Sequence, residues 1–273
     1  MSTQASQDSL PKVGVIGLGR VGSAVCELFD GHFEVVGWDR AQEEPYPAAD
    51  LAECLFAVIC VDTPTRADGH SDLSMLEEAI DQIPCQRLLV KSTVPPGSTA
   101  RLREETGKAI CFWPEYVGES KYHNPYFPSR IVEVPFVVLG GEPADRRWFI
   151  DRLLPILGPS KQYFQCDSTE AELIKYAENV YFATKITFVN EYRKICEQFE
   201  ADWHTVREGW LLDPRVEPMH TAAFEEQPGF AGKCLPKDLH AIVTATQARG
   251  FNPALLAQVL ESNGNADREA DPR

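Results

Sequence analysis

One stretch near the N-terminus limits the fold more than any other. Residues 12–17 read KVGVIG, a short β-branched run that predicts a strand, and they lead into Gly17-Leu18-Gly19-Arg20-Val21-Gly22, after which residues 20–29 predict a helix. Glycines spaced G-x-G-x-x-G between a strand and a helix have separate tasks. The first makes a tight turn, the second lets backbone approach a pyrophosphate, and the third lets the helix pack close to the sheet. The helix N-terminus then offers its N–H groups to the phosphates. A second predicted strand, 33–38, ends at Asp39, 22 residues after Gly17. A carboxylate there can bond a ribose 2′-hydroxyl and would repel a 2′-phosphate. The pattern predicts a dinucleotide site formed by Gly17, Leu18, Gly19, Arg20, Val21, Gly22, Asp39 and Arg40, with NAD preferred over NADP although Arg40 works slightly against that preference.

The alternation continues. Strands are predicted at 56–61, 87–91, 109–113 and 135–139, and helices at 49–55, 73–83, 98–106 and 144–157. Strands and helices alternating at this spacing imply βαβ units and a parallel sheet. The texture changes at Ser168, from which no Gly or Pro occurs until after Phe199. Ser168, Glu170 and Glu172 suit a helix start, and Ala171, Ile174, Tyr181 and Phe188 recur at helical period. A helix of about 30 residues exceeds the usual length and suggests a spine between domains or subunits. A short helix (203–210), a Pro-, Gly- and Glu-containing loop (213–233) and two closing helices (235–249 and 253–262) complete the chain. The expectation is an α/β protein: a Rossmann-type doubly wound parallel sheet at 11–166, then a helical dimerisation domain at 167–263 with one long helix. Residues 1–10 and the polar 264–273 are expected to be disordered.

Composition excludes several classes. The formal net charge of -15 disfavours nucleic acid and anionic membrane as partners, though a local positive pocket can still take an anionic small molecule. No apolar run approaches the ~20 residues that span a bilayer, and the polar start lacks a signal-peptide core. A cytoplasmic protein is expected. The eight cysteines form no CxxC pair, so neither a disulfide framework nor a metal site is expected.

Cys234 stands apart, within Pro228-Gly229-Phe230-Ala231-Gly232-Lys233-Cys234-Leu235-Pro236-Lys237-Asp238. It sits in a glycine-rich loop at a helix start, where helix N–H groups, Lys233 and Lys237 would favour the thiolate. Composition alone serves equally well for a buried cysteine near a helix cap. This segment resembles the G-F-G-G-x-C-x-x-K-D signature of the UDP-glucose/GDP-mannose dehydrogenase family, with Ala231 replacing one glycine. Other stretches resemble that family in the same order: Val61 with Thr63-Pro64-Thr65, Lys91-Ser92-Thr93-Val94-Pro95-Pro96-Gly97, Pro114-Glu115-Tyr116 with Glu119, and Glu172-Leu173 with Lys175 and Asn179. The resemblance runs from about Lys12 to Asn263.

The resemblance implies a four-electron oxidation of a sugar C6 alcohol to a carboxylate with two NAD. Aldehyde oxidation by hydride loss first requires a tetrahedral alkoxide, which a cysteine thiolate supplies as a thiohemiacetal; Cys234 fits that part. Lys175 and Asn179, four apart on one helix face, become the oxyanion and proton-handling pair, although such a pair taken alone is usually solvated. Asp238 is implied to orient a water or Lys175. Thr93, after the fourth strand, is implied to hold that water near the nicotinamide. Glu115 and Glu119 are the candidate bases for thioester hydrolysis, with either also able to meet cofactor or sugar. Val61, Thr63, Pro64, Thr93, Glu119 and Lys237 are further implied at the cofactor, and Glu115, Tyr116, Val117, Lys175, Asn179, Phe230 and Gly232 at the substrate.

Members of the family continue into a second α/β domain that holds much of the nucleotide. This sequence stops about ten residues after Asn263, so that domain is expected to be absent. Glu217, Glu225 and Glu226 would oppose a diphosphate. The substrate is accordingly expected to be a nucleotide sugar used weakly, or a smaller sugar alcohol. Two alternatives stand beside this: a two-electron hydroxyacid dehydrogenase, which pairs Lys and Asn but needs no nucleophile, and a non-catalytic NAD-binding protein. A homodimer on the long helix is expected.

Overall fold

The computed structural model describes residues 10–117, 128–224 and 228–270. The elements begin with β1 (Lys12–Ile16), α1 (Arg20–Phe29), β2 (Glu34–Trp38), α2 (Ala48–Glu53), β3 (Ala57–Ile59), α3 (Ser74–Gln82), β4 (Arg87–Val90), α4 (Ser98–Thr106) and β5 (Ala109–Phe112). After a 3-10 turn at Ile131–Glu133 come β6 (Phe136–Gly140), α5 (Pro143–Leu157), β7 (Gln162–Cys166), α6 (Ser168–Gln198), α7 (Trp203–Trp210), α8 (Cys234–Gln247) and α9 (Ala254–Ala270). The strands form one sheet in the order β2-β1-β3-β4-β5-β6-β7. β1 to β5 are mutually parallel. Their apolar runs follow from burial on both faces: all three residues of β3 and the last three of β4 and β5 are buried. The order reverses between β1 and β3, which makes the carboxyl ends of those two strands the place where such sheets bind ligands.

The sheet has two features beyond that expectation. β6 runs antiparallel to β5, through the pair Phe112 and Gly140, so the sheet is mixed rather than wholly parallel. β7 was not expected. It pairs parallel with β6 over five positions, but as an edge strand it buries only Cys166 fully and exposes Phe164. Its QYFQC sequence therefore lacks the apolar run that marked the inner strands.

The described chain divides into two compact units, one running to Pro64 and including Ser71–Leu173, the other joining Thr65–His70 to Ile174 and the residues after it. The first turns of α6 group with the sheet for visible reasons. A Cβ at Gly140 would lie 2.4 Å from the Ala171 Cβ. The fully buried Glu172 accepts from the N–H of Gly97 (2.5 Å) and of Thr99 (2.8 Å). Gly97 is the N-cap of α4 at φ 95° and has no side chain to do this itself, so Glu172 supplies the acceptors that the helix start lacks.

The core of the first unit is aromatic at one end: Phe29, Phe33, Phe56, Trp148 and Phe149 meet edge-on, with centroids 5.1–6.0 Å apart. The second unit buries Val180, Ala183, Phe230, Leu239, Val243 and Val259 in one cluster, and Val189, Cys196 and Trp203 in another. α9 extends to Ala270, well past the expected end near Ser262 and into the segment expected to be disordered. One reason is Asn263, whose amide bonds both the N–H (2.7 Å) and the C=O (3.0 Å) of Phe230. Among the described residues no helix is long and apolar enough to cross a membrane.

Candidate functional site

The glycine turn is built by close approach. Gly17, at φ 88°, donates its N–H to Trp38 O, and a Cβ there would stand 2.8 Å from Cys60 O. A Cβ at Gly22 would stand 1.8 Å from Gly17 O, so α1 lies directly on the turn. A Cβ at Gly19 would meet nothing within 4 Å. Gly19 is also the N-cap of α1 and makes no side-chain cap hydrogen bond. Asp39 accepts from the Leu18 N–H through Oδ2 (2.6 Å) and from the Ala41 N–H through Oδ1 (2.9 Å), so the acid clasps the turn. Gly17, Gly19, Asp39, Arg40 and Val61 line a cleft of about 230 Å³ at the sheet's reversal point. A turn open above its middle glycine, an uncapped helix start and an acid at the end of β2 fit a dinucleotide whose 2′-hydroxyl carries no phosphate.

The carboxyl ends of β3, β4 and β5 are tied together in the same unit. Thr63 Oγ1 donates to Thr93 O (2.7 Å), and Ser92 Oγ donates to Val61 O (2.6 Å). The Asp72 N–H donates to Pro64 O (2.7 Å). Val61, Thr63, Pro64 and Thr93 are therefore neighbours. Glu115 accepts from the N–H groups of Tyr116 (2.8 Å) and Val117 (2.5 Å) through Oε1, while its Oε2 lies 3.0 Å from the Lys91 ammonium. Lys91 is buried, reaches Pro114 O (3.4 Å), and sits 4.0 Å above the Trp113 ring. Burial alone would raise the Glu115 pKa; the Lys91 charge and the two N–H bonds outweigh it and hold the carboxyl below its usual range. Burial pushes the nearby Cys60 thiol up to about 12, so it is an inert thiol. Tyr116 meets Phe136 edge-on at 4.7 Å, and Val117 packs on the core. Glu119 lies outside the described residues, as do Glu225 and Glu226.

In the second unit the polar residues form a chain. Lys175 Nζ donates to Glu178 Oε2 (2.7 Å) and to Asn179 Oδ1 (3.2 Å). Asn179 Nδ2 donates to Asp238 Oδ2, and Lys237 Nζ donates to Asp238 Oδ1 (2.7 Å). Asn179 is the natural centre, since its carbonyl can face a cation while its NH₂ faces an anion. Lys175, Asn179 and Asp238 are all buried, at 8, 6 and 1 % exposure, so each must keep its partners. Asp238 meets Asn179 and Lys237, with Asn179 between it and Lys175.

Cys234 is the first residue of α8, half-buried, and one turn before Asp238. None of the eight cysteines is in a disulfide. Lys237, expected to act on the thiol and at the cofactor, bonds Asp238; Lys233 is exposed. Phe230 is buried in the apolar cluster, whereas Gly232, at φ 90°, is exposed. Glu217 is not a lone anion in its loop, because Lys185 holds it at 3.0 Å.

Sequence reasoning missed three residues. Glu178, paired with Lys175, had a signal in its i,i+3 spacing. Lys91 had one too, as a charge ending an apolar strand. Glu78, which binds Arg40, had none, since 38 residues separate the two. Among the described residues no cluster of His, Cys, Asp and Glu could hold a metal.

Comparison with known proteins finds one family along most of the chain. Residues 47–142 match the NAD binding domain of the UDP-glucose/GDP-mannose dehydrogenase family, and residues 169–265 match its central domain. UDP-glucose 6-dehydrogenase of Rickettsia bellii is 32% identical over 217 residues, which are 75% of this chain and 48% of that protein. The Bacillus subtilis enzyme of the same description is 31% identical over 79% of this chain and 50% of its own length. The chain spans about half the length of the curated relatives it matches. A UDP-glucose dehydrogenase structure from Pyrobaculum islandicum superposes with TM-score 0.77 at 26% identity, covering 97% of this chain and 70% of the other. 3-Hydroxyisobutyrate dehydrogenase of Mycobacterium tuberculosis superposes with TM-score 0.67 over 96% of both chains, but at 16% identity this is a likeness of fold.

Proposed function

This chain belongs to the UDP-glucose/GDP-mannose dehydrogenase family, and we propose that it carries out the NAD-dependent oxidation of a primary alcohol, the C6 hydroxyl of a nucleotide sugar such as UDP-glucose or of a related sugar, to a carboxylate. The observation that carries this reading is the buried Lys175–Asn179–Asp238 chain, one helical turn from Cys234 on α8. The glycine turn and Asp39 in the first unit support NAD as cofactor. NAD, when bound, accepts a hydride at each of two oxidation steps.

The chain's own residues do the rest. In the first step the alcohol loses its proton to Lys175 or to a water, either one oriented by Asp238, and its hydride to the cofactor, giving an aldehyde. One N–H of Asn179 Nδ2 is committed to Asp238; the other, with the Lys175 ammonium, stabilises the alkoxide. The Cys234 thiolate then adds to the aldehyde carbon. The thiohemiacetal alkoxide re-forms its carbonyl as the second hydride leaves, which gives a thioester. Water attacks the thioester, Glu115 takes a proton from that water, and the C–S bond breaks with its electron pair on Cys234. Thr93 holds the water used in proton handling. A carboxylate below its usual pKa range remains ionised, and so able to accept a proton, at neutral pH.

The test is Cys234→Ala with Cys234→Ser beside it, counting NADH per carboxylate formed. The wild type is expected to give two NADH, the alanine variant no carboxylate, and the serine variant an ester adduct visible by intact mass. Carboxylate formation by Cys234→Ala at the wild-type rate removes the covalent mechanism. The second reading is a two-electron dehydrogenase, compatible with the Lys175–Asn179 bond, which serves either chemistry. One NADH per substrate, with Cys234→Ala fully active, selects it.

The assembly is proposed to be a homodimer on α6. That helix exposes Leu173, Tyr181, Phe188, Tyr192 and Ile195, at spacings of eight, seven, four and three residues. Such a stripe along one helix is more apolar surface than a monomer usually leaves to water.

A further inference from the structure

The cleft beside the glycine turn is continued by side chains of α3. Arg40 Nη2 donates to Glu78 Oε2 at 2.6 Å, and Gln82 Nε2, one turn further along α3, donates to Glu78 Oε1 at 3.1 Å. Both oxygens of Glu78 are thereby engaged. Arg40, Glu78 and Gln82 all line the cleft that Gly17, Gly19 and Asp39 line.

Arg40 follows Asp39 directly. An acid at this position of a dinucleotide fold favours a ribose 2′-hydroxyl, and an arginine nearby accommodates a 2′-phosphate. The two adjacent residues thus oppose each other in sequence. Their geometry separates them. Asp39 is fastened to the turn by the Leu18 and Ala41 N–H groups, while the Arg40 guanidinium is drawn to a carboxylate on α3. Among the described residues lining the cleft, Arg40 is the one cation, against the acids Asp39, Asp62 and Glu78. A 2′-phosphate would have to compete with Glu78 for Arg40 while facing those acids.

We propose that Glu78 is a specificity-determining residue: by holding Arg40 it withdraws the cleft's cation from a 2′-phosphate and restricts the site to dinucleotides with an unmodified 2′-hydroxyl. The proposal rests on the NAD reading of the cleft and names the residue that enforces the preference. The pair is half-exposed, at 56% and 49% of its side-chain surface, so it is a modest restraint. An arginine released to a phosphate makes a charge-assisted, often bidentate bond. Loss of Glu78 should therefore narrow the preference by about two- to five-fold without inverting it, because Asp39 remains.

The experiment titrates NADH and NADPH by nucleotide fluorescence against the wild type, Glu78→Gln, Glu78→Ala, Arg40→Ala and the double variant Glu78→Ala/Arg40→Ala, so it needs no substrate. The expected result is tighter NADH binding by the wild type. NADPH affinity should rise about two- to five-fold relative to NADH in both Glu78 variants, and that gain should be absent in the double variant. An unchanged ratio in both Glu78 variants overturns the proposal and leaves the NAD reading standing. A gain that survives in the double variant also overturns it, since the effect would then come from lost negative charge rather than from Arg40. Tighter NADPH binding by the wild type overturns the NAD reading itself.

Discussion

The three glycines of the turn can be separated by experiment, because an added methyl group meets a different environment at each. At Gly22 the new Cβ would lie 1.8 Å from Gly17 O and 2.9 Å from Gly17 C, both backbone atoms that no rotamer change can move. Reaching even a 3.0 Å contact requires 3.0 − 1.8 = 1.2 Å of displacement of α1 from the turn. Overpacking of this kind costs about 1–3 kcal/mol, and more against rigid backbone. The gain in helix propensity from Gly to Ala returns at most about 1 kcal/mol. Gly22→Ala should therefore destabilise by about 2 kcal/mol, lowering Tm by about 4–8 °C for a chain of this size. At Gly19 the Cβ enters open space, and φ −63°, ψ −162° suits any residue. Gly19→Ala should leave stability within about 0.5 kcal/mol of wild type, yet place a methyl where pyrophosphate must approach, costing tenfold or more in NAD affinity, or about 1.4 kcal/mol. Thermal melts and NADH fluorescence titrations on the two variants read both quantities. A Gly19→Ala protein that binds NADH like the wild type would refute the placement of the phosphates over this turn. A Gly22→Ala protein that melts like the wild type would refute the close helix approach.

Two further outcomes follow from buried and exposed groups. Lys91→Met strips Glu115 of its buried cation, and breaking such a pair costs about 3–5 kcal/mol. The sign with pH is specific. In the wild type the depressed Glu115 pKa contributes stability that is present above the ordinary carboxyl value and lost as pH falls through the folded value. In the variant, burial acts against two N–H bonds alone, so the folded pKa rises and protonation relieves the strain. The Tm gap between variant and wild type should be widest at pH 7–8 and narrow toward pH 4; a constant gap in the melts contradicts the pairing. Phe188, half-exposed and within 6 Å of the Tyr192 and Trp210 rings, tests the α6 stripe. Phe188→Asp should convert a dimer to monomers by light scattering with helix content unchanged, and a wild type already monomeric at micromolar concentration ends the dimer proposal.

What could be read in advance followed from how local each signal is. The glycine turn and Asp39 were legible because each is a backbone requirement answered within a few residues, and the structure couples them through the Leu18 N–H. The inner strands were legible because burial on both faces demands a continuous apolar run. β7 was not, since an edge strand that buries one residue of five needs no such run. The reversal at β6 was hidden for another reason: direction is set by the connection before it, and neither FVVLG nor its neighbours encode which way the strand enters the sheet. α9 outran its expected end because the anchor holding it, Asn263 against Phe230, is a contact between residues 33 apart. A polar composition after residue 264 looked like a tail.

The same distinction explains which parts of the candidate site were visible. Lys175 and Asn179 share a helix face by spacing, and Cys234 and Asp238 do so on another helix, so each pair could be named. The link that joins the pairs, Asn179 to Asp238, spans 59 residues and exists only once α6 and α8 are packed. That link also bears on the orienting role implied for Asp238. A carboxylate whose two oxygens are taken by Lys237 and Asn179, and which is 1 % exposed, is well placed to fix the Asn179 amide. It is poorly placed to collect a proton from solvent unaided. Its first contribution is therefore orientation: with Nδ2 pulled toward Asp238, Oδ1 must face Lys175, and the remaining N–H of the amide has one direction left. Preorganised donors of this kind are most effective where water is excluded, which is the condition the burial of all three residues provides.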